Sequence, residues 1–192
     1  MAQHNRAVTH VMIDIETLGT KPGCPIASIG AVVFDPVAGA LGAKFFTRIS
    51  LQSCDEAGLR MDAKTVYWWM QQSDEARINT FFGECCTLEQ AICEFGYWWT
   101  ENAGEDAKMW AHGATFDPPI LEAAYHAIGE VAPWKFYLVR DTRTIFDVSG
   151  IDVGQYRDPD NHHSALKDAE AQAHAVIAAY EKLGLREGAN VR

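Results

Sequence analysis

The stretch Val8-Thr9-His10-Val11-Met12-Ile13-Asp14-Ile15-Glu16 supplies both the first strand of the chain and its first pair of acidic residues. It is apolar and rich in β-branched residues, and a loop containing Gly and Pro follows at 17–23, so it is predicted to be a strand. Side chains alternate between the two faces of a strand. We therefore expect Asp14 and Glu16 on one face, and Ile13 and Ile15 on the other.

Two carboxylates on one strand face repel each other, and each raises the pKa of the other unless a cation compensates. A hard divalent cation bound by oxygen ligands is the usual compensation. Asp-x-Glu is a short pattern, however, and a polar strand face exposed to water has the same sequence. The pattern alone leaves both interpretations open.

The remaining periodicities predict an α/β fold around a mixed sheet. Strands at 26–34 and 42–49 follow the first strand after short connections, which favours a three-stranded antiparallel meander. A short strand is predicted at 108–112, and helices at 62–72, 73–82, 87–99, 118–129, 142–148 and 165–183. A meander followed by alternating strands and helices is typical of an α/β fold.

Composition limits the functions that the chain can have. Its 192 residues are 48% hydrophobic and 22% charged, which predicts one globular domain over 1–192. With 26 acidic and 16 basic residues the formal net charge is −10. A broad basic face for nucleic acid is therefore not expected, although a nucleic-acid end could bind if metal ions supplied positive charge.

Nothing in the sequence predicts secretion or a membrane partner. No apolar run reaches the ~18–20 residues that span a bilayer, and the polar segment 1–10 lacks the apolar core of a signal peptide. The five cysteines show neither the spacing of a disulfide framework nor a Cys-x-x-Cys pair, so a structural zinc site is not expected. A cytoplasmic location is predicted.

A second acidic signal is Asp117, which follows a small-residue turn and precedes Pro118-Pro119 at the start of a predicted helix. Helix capping would by itself explain an Asp at this place, because an N-cap carboxylate binds the free backbone N–H groups at the positive end of the helix. A functional role for Asp117 is the alternative.

The third signal is His163-x-Ala165-Leu166-x-Asp168-Ala169. Five positions along a continuous helix separate two side chains by about 140°. His163 and Asp168 can therefore converge only if His163 lies on the loop before the helix, an arrangement that Ser164 as N-cap would allow. A lone histidine at a helix start is otherwise usually a surface residue.

Taken in this order, the three signals resemble the DEDDh group of 3′–5′ exonucleases, which have a ribonuclease H-like fold. The group is named for four acidic residues and a histidine. The resemblance implies that the four metal ligands are Asp14, Glu16, Asp117 and Asp168, and that the histidine is His163.

Two further stretches of sequence indicate which of these exonucleases the chain resembles most. Residues 65–77, Thr-Val-Tyr-Trp-Trp-Met-Gln-Gln-Ser-Asp-Glu-Ala-Arg, and the Arg140-Asp141-x-Arg143-Thr144 segment are similar to the phage DexA-type exonucleases. RNase T-like enzymes, RNase AS and oligoribonuclease are similar at a greater distance. One departure is Gly113, where proofreading members usually have Asn, so their contacts to the terminal nucleotide are not carried over at this position.

The resemblance implies a two-metal-ion hydrolysis of phosphodiester bonds at nucleic-acid 3′ ends. Two Mg²⁺ or Mn²⁺ would balance the four carboxylates, and a metal-activated water would attack the terminal phosphate. His163 would take a proton from that water as general base, and Glu16 shares the catalytic site. The products would be nucleoside 5′-monophosphates.

Several residues are expected to touch the substrate. The resemblance places the turn at Thr17 and Leu18 under the terminal sugar and base. Trp69 and Phe116 are candidates for stacking on bases, with core packing as the alternative. His112, at the end of a predicted strand, completes the substrate-binding set. Trp68 is expected in the core or in an interface.

Three questions stay open in the sequence. Single-stranded or 3′-overhanging nucleic acid is the expected substrate, although the sequence does not decide between single and double strands. DNA and RNA are not distinguished either, because this depends on how the 2′-hydroxyl is met. A hydrolase of very short oligonucleotides or free nucleotides, and a catalytically silent nucleic-acid-binding module, are alternative functions. Relatives that act as dimers favour a homodimer.

Overall fold

One mixed sheet organises the computed structural model of the chain, which describes residues 9–158 and 163–186. Its strands are β1 (His10–Thr17), β2 (Ile26–Asp35), β3 (Ala40–Arg48), β4 (Lys108–Ala111) and β5 (Val139–Asp141). Their order is β3-β2-β1-β4-β5. The first three strands pair antiparallel, whereas β4 runs parallel to β1 and β5 parallel to β4. The predicted mixed sheet with an antiparallel N-terminal meander is thus confirmed.

Helices flank this sheet on both faces. They are α1 (Leu51–Glu56), α2 (Ala63–Met70), α3 (Asp74–Phe81), α4 (Leu88–Asn102), α5 (Asp117–Ala127), α6 (Thr142–Ser149) and α7 (Ala165–Lys182). Short 3₁₀ segments cover Phe136–Leu138 and Val153–Tyr156. Over 9–158 and 163–186, no helix has the length and apolar character needed to cross a membrane.

The side chains of three cap residues fix where α2, α3 and α4 begin. Asp62 accepts a hydrogen bond from the backbone N–H of residue 64, and Ser73 from that of residue 76. Thr87 and Gln90 form a reciprocal capping box at the start of α4. These starts are as the sequence predicted. Helix α1 and strand β5 were not predicted, because one has six residues and the other three, too few to show a period.

The two faces of β1 pack against different helices. Val11, Ile13 and Ile15 belong to the larger apolar core, which includes Phe95 of α4 and Leu121 of α5. Met12 belongs to a second core with residues of α7. The alternation therefore places Asp14 and Glu16 on the α7 face of β1, as predicted.

A glycine in β2 lets α7 approach the sheet closely. Gly30 pairs with Asp14 across the β1–β2 ladder. A Cβ atom at Gly30 would lie 2.2 Å from the carbonyl carbon of Ala165 and 2.2 Å from the backbone nitrogen of Leu166. The first turn of α7 therefore rests directly on β2, and this brings Asp168 next to Asp14.

We expect Gly30→Ala to destabilise the protein by about 1–3 kcal/mol or more, because the added methyl group overlaps backbone atoms of α7 that cannot move aside. The free energy of unfolding in urea measures this. Gly42→Ala in β3 is the control, since its Cβ would come no closer than 3.3 Å, to the Val33 side chain. Equal losses in the two variants would contradict the prediction.

Candidate active site

Three carboxylates from β1 and α7 come together at the edge of the second core. Asp14, Glu16 and Asp168 each offer a carboxylate oxygen, and these oxygens all lie within 4.8 Å of one another. The amide of Gln172 is buried one helical turn after Asp168, and its Nε2 donates a 2.8 Å hydrogen bond to Oδ1 of Asp14. The spacing and the all-oxygen donor set suit a hard divalent cation.

Asp117, at the start of α5, also lies beside this cluster. It is the first residue of α5, whose N-cap is Phe116, so the capping role considered for Asp117 is wrong. Its Oδ1 instead accepts a 3.2 Å hydrogen bond from the backbone N–H of Ile15, and the residue is buried. That bond holds the carboxylate beside β1, where its charge acts on Asp14 and Glu16.

Burial and mutual repulsion raise the pKa values of these carboxyl groups. For Asp14 the pKa is well above its usual range, first because of burial and then because of the charges of Asp117, Glu16 and Asp168. Burial, followed by the charges of Asp168 and Asp117, raises the pKa of Glu16 to about 8. Burial also raises the pKa of Asp117 to about 7, against the stabilising N–H of Ile15. A bound cation would lower these values.

His163 and Asp168 are held on either side of the start of α7. His163 lies before the helix with φ 58°, a left-handed conformation uncommon outside glycine. The buried Thr80 hydroxyl of α3 donates a 3.0 Å hydrogen bond to the His163 carbonyl. Nδ1 of His163 lies 4.0 Å from Oε1 of Glu16. The hydroxyl of Ser164, although at the N-cap position, makes no capping hydrogen bond.

An apolar pocket of about 440 Å³ opens beside Glu16. Thr17, Trp68, Trp69 and Phe116 are among its lining residues. Trp69 is only 4% exposed, and its indole N–H donates a 2.9 Å hydrogen bond to the Thr17 carbonyl. Trp68 is 43% exposed and faces the same pocket, so it does not lie in the core.

Leu18 does not line this pocket. It is 5% exposed, and its backbone is bound to the carbonyl of residue 25 and to the N–H of residue 62. Leu18 therefore stabilises the turn at residues 17–18 and does not face the pocket. His162 lies outside the described residues.

The carboxylates line a polar cleft of about 610 Å³ that adjoins the apolar pocket. His112, Thr115, Arg143 and Arg157 line it together with the acidic residues. Nδ1 of His112 lies 2.8 Å from the Thr142 hydroxyl, and burial, then Arg143 and Arg157, lower the pKa of His112. Nε of Arg157 lies 3.6 Å from Oδ1 of Asp168.

Sequence reasoning gave no role to Gln172, Thr80, Arg143 or Arg157. Gln172 stands four residues after Asp168, a spacing that puts both on one helix face, and this signal could have identified it. Arg143 was part of a noted motif. Thr80 and Arg157 reach the site only through the tertiary fold, and no local pattern marks them.

The fold resembles that of known exonucleases. For E. coli ExoI, described as a zinc-bound complex with ssDNA, the identity is 14% and the TM-score 0.62, covering 95% of this chain and 41% of that chain. For the nuclease domain of 3′hExo, described as a DEDDh family member bound to rAMP, the identity is 12% and the TM-score 0.56, covering 95% and 96%. This chain thus spans about two fifths of the ExoI length. Among curated proteins, none matches it.

The family described as the 3′-5′ exoribonuclease Rv2179c-like domain matches residues 9–180. The structural neighbours confirm the predicted exonuclease-type fold, and the family match confirms the predicted relation to 3′–5′ exonucleases. A closer kinship with the phage DexA-type enzymes stays a prediction. The chain belongs to the Rv2179c-like family of 3′–5′ exoribonuclease domains.

Proposed function

We propose that the protein is a metal-dependent exonuclease that removes nucleotides one at a time from a nucleic-acid 3′ end and releases nucleoside 5′-monophosphates. The observation that carries this proposal is the position of the carboxylate cluster. It lines a polar cleft that also contains arginines, and at Glu16 and Phe116 this cleft adjoins an apolar pocket that fits a nucleoside. The phosphodiester that joins the 3′-terminal nucleotide to the strand can therefore reach the carboxylates while the terminal nucleoside is bound in the pocket.

Asp14, Glu16, Asp117 and Asp168 are proposed to hold two divalent cations, either Mg²⁺ or Mn²⁺. When bound, such a pair supplies Lewis-acid activation of water and stabilises the leaving 3′-oxygen. The residues fit this role because they present only oxygen donors, and because burial, followed by repulsion between the carboxylates, raises the pKa values of Asp14 and Glu16, a cost of ionisation that a cation offsets. The hydrogen bond that the Gln172 amide donates to Asp14 would orient the Asp14 carboxylate.

His163 is proposed as the general base that accepts a proton from the attacking water. Its ring lies next to Glu16, at a half-exposed position from which it can reach the cleft. The Thr80 hydrogen bond fixes its backbone, and the rings of Trp68 and Trp69 lie 5.2 and 5.5 Å from its ring centroid. These contacts hold the imidazole in place without occupying the cleft.

The apolar pocket is proposed to bind the terminal nucleoside. Trp68, which is 43% exposed, is proposed to stack on the base, whereas the buried Trp69 and the partly buried Phe116 form the walls. Thr17 lines the pocket, Leu18 supports its turn, and His112 lies on the polar side, where phosphate contacts are expected.

The polymer is proposed to be single-stranded or 3′-overhanging nucleic acid. The family description names an exoribonuclease, while the descriptions of the structural neighbours name ssDNA for one and rAMP for the other. RNA and DNA are therefore both test substrates. A homodimer and a cytoplasmic location stay predictions.

We expect a 5′-labelled single-stranded oligonucleotide to be shortened to a ladder in the presence of Mn²⁺ or Mg²⁺, and to stay intact with excess EDTA or with the Asp14→Asn variant. Matched RNA and DNA strands, resolved on denaturing gels, measure this. Breakdown of dinucleotides alone would indicate the short-oligonucleotide hydrolase. Intact strands under all conditions would indicate a silent binding module, and shortening in EDTA would overturn the metal requirement.

The metal-free protein should lose thermal stability as the pH rises from about 5 to 8.5. Folded Asp117 and Glu16 have pKa values of about 7 and about 8, above those of unfolded carboxyl groups near 4. The folded state thus binds more protons, so its stability is greatest at low pH and falls as the pH rises through these values.

Mn²⁺ should restore the melting temperature at pH 8, since a ligand that binds only the folded state stabilises it. Thermal melts at several pH values, with Mn²⁺ or EDTA, measure both effects. Asp14→Asn is the comparison variant and should show a shallower pH dependence and a smaller Mn²⁺ shift. Identical curves for wild type and variant would contradict a metal site at Asp14.

His163→Ala should slow single-turnover cleavage by about 10²–10⁴-fold, the usual contribution of a general base. Its Mn²⁺-induced rise in melting temperature should be retained, because the histidine is not among the proposed oxygen ligands. His162→Ala is the matched variant and should cleave at close to the wild-type rate. If His162→Ala lost activity and His163→Ala kept it, the assignment would be displaced by one residue.

Trp68→Ala should raise the KM for an oligonucleotide by about 5- to 150-fold, equivalent to the ~1–3 kcal/mol of one base stack. Its melting temperature should change little, because the ring is 43% exposed. Tyr67→Ala on the same helix is the control, since Tyr67 is 65% exposed and does not line the pocket. Equal KM values for both variants would remove Trp68 from the substrate site.

A further inference from the structure

Arg143 differs from the other arginines that the structure describes. Each of those has a hydrogen-bonded or ion-paired guanidinium, and they are Arg48, Arg60, Arg77, Arg140, Arg157 and Arg186. Over residues 9–158 and 163–186, the Arg143 guanidinium donates no hydrogen bond and forms no ion pair. The Arg143 side chain is exposed and lines the polar cleft. Its N–H donors are therefore available to a ligand.

The backbone around Arg143 is fixed by a second acidic residue, Asp141. One oxygen of Asp141 accepts a 2.8 Å hydrogen bond from the backbone N–H of Arg143 at the start of α6. The other accepts a 2.7 Å hydrogen bond from the backbone N–H of Ala114. Asp141 thus joins the beginning of α6 to the loop that leads to Asp117.

Gly113 makes room for the guanidinium over that loop. Its φ is 124°, and a Cβ atom there would lie 2.9 Å from Nη1 of Arg143. A side chain at position 113 would push the guanidinium aside. Where proofreading enzymes usually have Asn, this chain thus has Gly113, and the Arg143 guanidinium lies over the Gly113 backbone.

The location of Arg143 indicates which phosphate it could meet. The apolar pocket and the polar cleft share Glu16 and Phe116, while Trp68 lines only the first and Arg143 only the second. With the terminal nucleoside in the pocket and its 5′-phosphate at the carboxylates, the strand that precedes it continues into the cleft. The next charged group along that strand is the 5′-phosphate of the penultimate nucleotide.

We propose that Arg143 binds the 5′-phosphate of the penultimate nucleotide and so makes the enzyme prefer substrates that carry this phosphate. The inference rests on the proposed exonuclease function and adds a phosphate subsite to it. Arginine suits the subsite because its planar fork can donate two parallel hydrogen bonds to one phosphate. It also provides local positive charge in a chain whose formal net charge is −10.

The test compares two dinucleotides that differ by one phosphate: pNpN, with a 5′-phosphate, and NpN, without it. We expect the wild-type chain, with Mn²⁺, to cleave pNpN with a kcat/KM about 10- to 100-fold higher than NpN, the size expected for a charge-assisted contact. In Arg143→Gln the ratio should fall to near one, because pNpN cleavage should slow far more than NpN cleavage. Arg143→Lys should keep part of the preference.

Arg140→Gln is the matched control, because Arg140 lies three residues away and its guanidinium donates to backbone carbonyls of residues 137 and 139. It should keep the wild-type ratio. If Arg143 only supported the loop or acted on Asp117, both dinucleotides would lose rate by the same factor and the ratio would persist, which would overturn the proposal. An absent preference in the wild type, or cleavage of longer strands but of neither dinucleotide, would also overturn it, whereas a failure to shorten any strand would instead refute the exonuclease function.

Discussion

The close contact between α7 and β2 at Gly30 is the constraint on which the rest of the site depends. It places the first turn of α7 against the strand next to Asp14, so that carboxylates from elements about 150 residues apart in sequence share one small volume. Such a cluster is unfavourable by itself, as the raised pKa values of Asp14, Glu16 and Asp117 indicate. The two apolar cores that pack against the faces of β1 must therefore hold these groups together despite their mutual repulsion. Cation binding would reduce that repulsion.

The sequence could predict those parts of the site that follow from local periodicity. Alternation along β1 placed Asp14 and Glu16 on one face, and the helix geometry required His163 to precede α7 if it was to meet Asp168. Both arguments need only a few neighbouring residues and standard backbone dimensions. The cap residues of α2, α3 and α4 were predictable for the same reason, since an N-cap acts on N–H groups two or three positions away.

What the sequence could not predict depends on contacts between distant elements. The role of Asp117 was ambiguous because an Asp at the start of α5 could either cap that helix or accept a hydrogen bond from the Ile15 N–H. Trp68 and Trp69 are adjacent, and only the packing of α2 on the Thr17 turn decides which ring is buried. Strand β5 has only the edge of β4 to pair with, and its three residues carry no apolar alternation. In each case tertiary packing, and not local propensity, determines the conformation and the contacts of the residue.

Overall charge is a poor guide to how this protein meets a polyanion. A net charge of −10 argues against sequence-independent binding over a wide surface, where affinity comes from many phosphate contacts. Binding at a strand end needs few contacts, because an apolar pocket holds a base by stacking and a few fixed positive charges meet the adjacent phosphates. In the described cleft, Arg157 is engaged by Asp168 while Arg143 is free, so the positive charge available to a ligand is concentrated at one place. The acidic surface would repel the remainder of a long strand, and this favours recognition of the 3′ end over recognition of the polymer.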